Sequence, residues 1–354
     1  MGKFLLSIAA LTMATQVVAQ TPADSTMTTT QPAERLADKL KDFTVKVHGT
    51  VRGKFEWQPT EDDARFEVRN ARFSLSGNVT PNVAYKAEID LSDEGSIKML
   101  DAYARFLGTR QAWNFTIGQM RVPFTIDAHR SPHQQYFANR SFLAKQVGNV
   151  RDVGASMSWK PQISLPLTLE GGIYNGSGLT NQKNYWTRRF NFSAKATLNV
   201  KAFGIEASYQ KTHPDIVDIR MIDGGVFYHA KGWHAEAEYL RKIYADDAFD
   251  AVNTFDIFLC RDIPARKKSI IQKFSPLARW DYMSDHSDGK ADDDGKLKIN
   301  DYERHRLTWG LTISLATPFT ADLRLNYEKY FYDDGAKIGV SDNDKLVCEL
   351  MVRF

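Results

Sequence analysis

From residue 45 onward, apolar and polar positions alternate with a period of two. In the stretch from Thr44 to Trp57, Val45, Val47, Gly49, Val51, Gly53, Phe55 and Trp57 fall on one face. Lys46, His48, Thr50, Arg52, Lys54 and Glu56 fall on the other. That period is the signature of a β-strand with one apolar and one polar side. The pattern is clearest late in the chain. His305, Leu307, Trp309, Leu311, Ile313 and Leu315 share a face opposite Arg304, Arg306, Thr308, Gly310, Thr312 and Ser314. After the turn residues ATPF, Ala321, Leu323, Leu325 and Tyr327 oppose Thr320, Asp322, Arg324, Asn326 and Glu328. The last ten residues alternate in the same way, with Leu346, Cys348, Leu350, Val352 and Phe354 on the apolar side.

The same reading predicts sixteen strands: 44–57, 65–78, 82–91, 98–107, 112–119, 152–160, 165–174, 188–199, 203–212, 219–231, 233–244, 254–260, 269–283, 302–316, 319–332 and 343–354. The segment 254–260 is short, and Pro276 interrupts 269–283; proline belongs at a strand end or an irregularity because it cannot donate to the ladder. The connectors alternate too. Short ones (80–82, 108–111, 200–204, 230–233, 316–319) are interleaved with long, polar ones, notably 120–151, 175–187, 245–253 and 284–301.

A soluble sandwich buries its apolar faces between two sheets; a transmembrane barrel turns them to lipid and keeps polar residues in a wet lumen. Strand lengths near the ~9–11 residues of a tilted membrane crossing and heavily charged polar faces favour the barrel. So do Trp57, Trp113, Trp159, Trp233 and Trp309 on apolar faces, mostly near strand ends, where interfacial girdles lie. The predicted fold is therefore all-β: a transmembrane antiparallel barrel of about sixteen strands over residues 44–354, with short periplasmic turns and longer extracellular loops. Residues 345–354 form the closing strand, since an open edge in lipid leaves amides unpaired at several kcal/mol each.

The N-terminus adds targeting. Lys3, the apolar stretch from Phe4 to Met13, and small residues up to Ala19 make the three-part pattern of a secretory signal over residues 1–19. Residues 20–43 read as a Thr-rich periplasmic spacer with a short helix over Ala33–Lys41. Past residue 20 no apolar run approaches the ~18 residues of a membrane helix. The 354 residues carry 46 bases against 43 acids, a net +3, which argues against a nucleic-acid partner. Cys260 and Cys348 both lie in apolar alternation and read as small buried or lipid-facing residues, not as a disulfide.

The alternation points Lys46, Arg52, Arg72, Arg105, Arg304, Arg306 and Arg324 into the lumen, with Lys54, Lys86, Lys160, Arg189, Lys195, Lys345 and Arg353. Facing them are Glu56, Glu88, Asp90, Asp101, Glu170, Glu206, Glu236, Glu238, Asp322, Glu328 and Glu349. The longest connector, 120–151, carries Arg121, Arg130, Arg140, Lys145 and Arg151 against Asp127 and Asp152. His129 and His133 in it lack a third ligand and read as ordinary loop histidines. The acidic stretch 285–301 lacks the first acid of a calcium loop, Lys290 standing in its place. No metal, cofactor or catalytic residue is expected.

Several stretches in order, FEVRNARFSLSGNVTPNVAYKAEIDLSD, DAYARFLGTRQAWNFTIGQMRVPF, FANRS, SPLARWDY and RLTWGLTISLATPFTADLRLNYEKY, together resemble the phosphate-selective porins O and P of diderm outer membranes. The terminal aromatic resembles the signal read by outer-membrane assembly machinery. The resemblance implies a sixteen-stranded outer-membrane porin, a homotrimer, passing small solutes and often anions such as phosphate. It also implies that connector 120–151 folds into the pore, where Arg121, Arg130, Arg140 and Lys145 would set anion preference, since basic rings select anions and guanidinium offers paired donors to phosphate. The competing reading places that loop at the surface, against lipopolysaccharide phosphates. Rival functions are a lipid hydrolase on a barrel scaffold, a plugged binding or structural barrel, and a soluble secreted β-protein.

Overall fold

The structure is a computed structural model that describes residues 43–354, apart from 148–150, 180–181, 267–268, 317–319, 333–335 and 337–338. The expected signal and spacer, and the turn at 317–319, lie outside the described residues. Contacts divide the chain into Met1–Phe43 and Thr44–Phe354, and every described strand belongs to the second unit.

Its strands are β1 (Lys46–Gln58), β2 (Asp63–Thr80), β3 (Val83–Asp93), β4 (Ser96–Leu107), β5 (Trp113–Arg121), β6 (Arg151–Trp159), β7 (Leu167–Tyr174), β8 (Asn191–Val200) and β9 (Phe203–Thr212). They continue as β10 (Ile219–Ala230), β11 (Trp233–Tyr244), β12 (Val252–Arg261), β13 (Ile263–Pro264), β14 (Ile271–Met283), β15 (Arg304–Ala316), β16 (Thr320–Tyr332) and β17 (Lys345–Arg353). Successive strands pair antiparallel, except that β12 and β13 both pair with β14, and β17 returns to β1. The two-residue β13 continues β12 against β14 after a break. Sixteen strands therefore close a barrel, with one short extra piece, at the segments the alternation marked out.

The apolar face looks outward. Val51, Leu307, Trp309, Leu325 and Leu350 are exposed, while Thr308, Glu328 and Glu349 beside them are fully buried. This inversion of a soluble protein is what a lipid solvent requires. No helix among the described residues is long and apolar enough to cross a membrane; the strands do the crossing.

Two local features explain the closure. At the seam, Gly49 and Phe354 exchange both backbone hydrogen bonds, at 2.8 and 3.1 Å. A Cβ on Gly49 would lie 2.2 Å from the Phe354 ring, so the terminal aromatic packs over this glycine, and a larger side chain there would have to displace the ring. Pro276 stands opposite Leu311 in an unbroken ladder with β15. Its missing donor falls on the other side, where β12 pairs up to Leu277 and β13 resumes at Phe274. The break between β12 and β13 is what the proline tolerates.

The lumen departs from the expectation of a wholly polar interior. Ile219, Met221, Leu240, Tyr244, Val252 and Met283 point inward near the long-loop end of β10–β14. There they form one apolar cluster with Phe124, Phe142, Leu143, Ala144 and Val147 of the connector after β5. Two lumen assignments also shift. Arg189 lies in the connector ahead of β8, exposed and near Asp218, and Lys160 stands exposed just past β6. Alternation had extended both strands past their ends.

Candidate functional site

The connector from Val122 to Val147 folds into the barrel and crosses it. It begins against β8–β11. Glu238 of β11 accepts hydrogen bonds from the backbone N–H groups of Ile126 and Asp127. Ser208 accepts from the Thr125 amide at 3.1 Å, and Lys195 donates to the Thr125 carbonyl at 2.7 Å. Arg130 forms a two-pronged pair with Glu236 and lies 5.2 Å above the Tyr136 ring.

The chain then reaches the opposite wall. Arg52 of β1 donates to Gln135 at 2.8 Å and to the Ala138 carbonyl. The Ala138 amide donates to Asn326 and the Asn139 side chain to Glu328, at 2.8 and 3.0 Å. Arg279 and Arg306 donate to the carbonyls of Asn139 and Arg140. Arg279 covers the Phe137 ring, while Arg304 and Arg306 cover Phe142. Most of these contacts run from a lumen-facing side chain to loop backbone, so the strand alternation itself aims the groups that hold the loop.

The expected constriction residues separate into three kinds. Arg130 is neutralised by Glu236. Lys145 points away from the centre, half exposed, to pair with Glu94. Arg121 and Arg140 form no ion pair among the described residues: Arg121 donates to the His129 carbonyl and Ser131, Arg140 to the carbonyls of Asp127 and Arg130. Burial pushes Arg140 down to about 10, opposed by Asp127 and assisted by the nearby cations Arg72, Arg52 and Arg151. Burial likewise holds His133 down at about 4, with Arg353 and Arg121 the nearest contributing cations. Arg52, Arg72 and Arg151 are themselves paired, with Glu349, Asp90 and Asp101.

Of the expected wall residues, Arg52 and Arg324 both pair with Glu349, and Arg72 pairs with Asp90 at 2.8 Å. Arg306 pairs with Asp281 and Glu328, and Arg304 with Asp301. Arg105 donates only to Thr116 and lies over Tyr103. Lys46 is exposed at the start of β1. The expected inward list omitted Asp223, Asp256, Asp281, Lys242 and Arg279, all buried in the lumen. Glu238, Asp256 and Asp281 stand directly opposite one another on β11, β12 and β14. Acids therefore face the loop on β9–β14, but β1–β6 carries Glu56, Glu88, Asp90 and Asp101 as well, paired with Lys54, Lys86, Arg72 and Arg151, so the lumen wall is mixed and locally paired.

Cavities lie on both sides of the loop. Toward the short-turn end, one of about 580 Å³ is bounded by His133, Lys195, His229, Asp262 and Arg324. Another, of about 290 Å³, lies between the loop and β3–β7, lined by Lys86, Arg105, Arg121, His129 and Ser131 among others. Toward the long-loop end, Lys54, Arg65, Arg69, Arg140 and Lys345 help to line a space of about 90 Å³.

The family model for "Phosphate-selective porin O and P" matches residues 45–239. No curated protein matches the chain by sequence. Among solved structures, the chain is similar to an anion-selective porin from Comamonas acidovorans: TM-score 0.60, 12% identity, 88% of this chain and 99% of that one covered. It is similar to the outer membrane channel DcaP of Acinetobacter baumannii, with TM-score 0.60, 13% identity and coverage of 89% and 98%. OmpT of Vibrio cholerae, in its trimer form, aligns at TM-score 0.57 and 11% identity over 88% and 99%.

Proposed function

We propose that the chain, which belongs to the phosphate-selective porin O and P family, acts as an outer-membrane channel rather than an enzyme and passes small solutes with a preference for anions such as phosphate. The observation that carries this reading is that three guanidiniums around the folded-in loop have no carboxylate partner among the described residues. Glu236 and Glu238 are occupied by Arg130 and by loop amides. Arg105, Arg121 and Arg140 face the aperture without a carboxylate partner among the described residues. A permeating anion therefore meets the guanidinium donors of Arg105 and Arg121 in a cavity whose acids are Asp101, paired with Lys86 and Arg151, and Glu170. Basic rings of this kind admit anions, and paired N–H donors suit phosphate oxygens.

The protein works as a homotrimer in this reading, in keeping with the trimer form of the Vibrio OmpT to which it is similar. Residues 1–19 direct export, and outer-membrane assembly machinery reads the terminal Phe354. Reversal potentials across planar bilayers under a potassium chloride gradient test the selectivity. Anion preference is expected for the parent, and a shift toward cations for Arg121→Glu and Arg140→Glu. Identical reversal potentials in all three would overturn it. Absence of any conductance would favour a plugged barrel.

A further inference from the structure

The outer surface carries a feature that solute passage does not use. On β11, Ala235 and Ala237 face outward between larger neighbours: Tyr228 and Val226 across from them on β10, Leu259 and Ile257 on β12. The small side chains leave an apolar trench of about 530 Å³ that crosses β11, running from Phe203 and Tyr228 over Ile257 and Leu259 to Trp280 and Leu307. Trp233 is the next outward residue of β11 toward the short turns, beside the trench, and Tyr239 lies beyond the other side. Trp233 is directly opposite Arg261 in the ladder, and that guanidinium lies 4.8 Å above its ring. Arg261 also donates to the carbonyl of Lys231, in the turn joining β10 to β11.

The rim at this end is basic. Lys160, Lys201 and Lys231 stand in successive short connectors, and with Arg261 none forms an ion pair among the described residues. The acid nearby, Asp262, is occupied by Lys273 at 2.7 Å and His234 at 3.2 Å. The long connectors at the other end are acid-rich, as in Asp292, Asp293 and Asp294. An apolar trench beside an interfacial tryptophan and two cations without an ion pair among the described residues has the polarity of a phospholipid: hydrocarbon in the trench, phosphate at the rim.

Resting on the outer-membrane reading, we propose that the β10–β12 face binds an anionic phospholipid of the periplasmic leaflet. One acyl chain lies over Ala235 and Ala237, and the phosphate sits between Lys231 and Arg261. The partly desolvated guanidinium over Trp233 is held in place to receive it.

Native mass spectrometry of the detergent-solubilised mature chain, titrated with phosphatidylglycerol or phosphatidylcholine, tests this. Phosphatidylglycerol binds at least tenfold more tightly. Lys231→Gln with Arg261→Gln abolishes that preference while bilayer conductance is unchanged, and Lys160→Gln, on the same rim away from the trench, retains it. Ala237→Trp fills the trench and weakens both lipids, with the heat-modifiable folded band on gels reporting an intact barrel. Equal binding of the two lipids, or an unaltered preference in the double variant, overturns the proposal. So does dissociation of an oligomer by Ala237→Trp, which would assign the trench to a second copy of the chain. A chain that shows the lipid preference yet never conducts refutes the channel reading and leaves the lipid site standing.

Discussion

Replacing Arg130 with methionine tests the idea that the folded-in loop neutralises an acidic wall. Arg130 and Glu236 form a pair whose side chains are 13% and 0% exposed. Removing one partner of such a buried pair costs about 3–5 kcal/mol, mostly because the other charge is left unpaired. If all of that fell on docking of the loop, its equilibrium would move by roughly a hundredfold to several thousandfold. Docking survives because the other anchors are untouched: Glu238 on two amides, Asn326 on Ala138, and Arg306 on the Arg140 carbonyl. What changes is the local charge. Glu236 loses its counter-charge beside Glu238 and Asp256, and a permeating cation gains a resting place. Bilayer recordings of Arg130→Met should show reversal potentials displaced toward cations and a noisier open-channel current. The double variant Arg130→Met/Glu236→Gln should return most of the way to the parent, since the stranded charge is gone. Parental selectivity and noise in the single variant, or a double variant no closer to the parent than the single, would refute the reasoning.

Gly49→Leu forces the Phe354 ring off the seam; overpacking of this kind costs about 1–3 kcal/mol, and the folded band on a semi-native gel should unfold at a lower temperature. Spin labels at Leu311 and Leu325, which face each other on the outer surface, should be relaxed by oxygen dissolved in lipid. Labels at Thr312 and Asn326 should instead meet a water-soluble relaxer. In the β14–β15 connector, His286 is buried, bonded to Asp301 at 3.1 Å and accepting from Lys242 at 3.0 Å, and burial lowers its pKa. A lowered histidine stabilises the docked connector fully above the usual value of about 6.5. It loses that contribution as pH falls below it, so hydrogen exchange over 285–301 should quicken between pH 7 and 5, and exchange that is flat with pH would count against this.

The strands were legible because two solvents impose a two-residue period on them. Where both solvents act, as on β15 and β16, the alternation assigns every side chain to its observed side. On β10 the inward face reads Ile219, Met221, Asp223, Gly225, Phe227, His229, and the outward face contains Ile222 and Val226. With apolar residues on both faces the period loses contrast, and Asp223 is passed over. Asp256 and Asp281 were missed on the neighbouring strands that face the same loop. The site was legible only as a basic connector. Which of its bases remain unpaired depends on partners about a hundred residues away, such as Glu236 for Arg130, and no local pattern encodes that distance.

The same failure of contrast explains why the loop lies where it does. A barrel of sixteen strands is too wide for its own side chains to fill. Inward apolar residues on β10–β14 would be wetted unless something covered them. Leu143, Ala144 and Val147 supply that cover, completing the cluster around Leu240 and Met283. Once this end of the loop is buried there, its middle must cross toward β1 and β14–β16, where Arg52, Arg279 and Arg306 receive its carbonyls. The space left on this side lies against β3–β7, where Arg105 and Arg121 line it together with Lys86, Asp101 and Glu170. Hydrophobic burial on one side of the lumen thus determines which charges a solute meets on the other. Substituting Leu143 by aspartate should therefore change selectivity without touching any charge at the aperture. Reversal potentials that stayed at the parental value in that variant, with the barrel folded, would break the link.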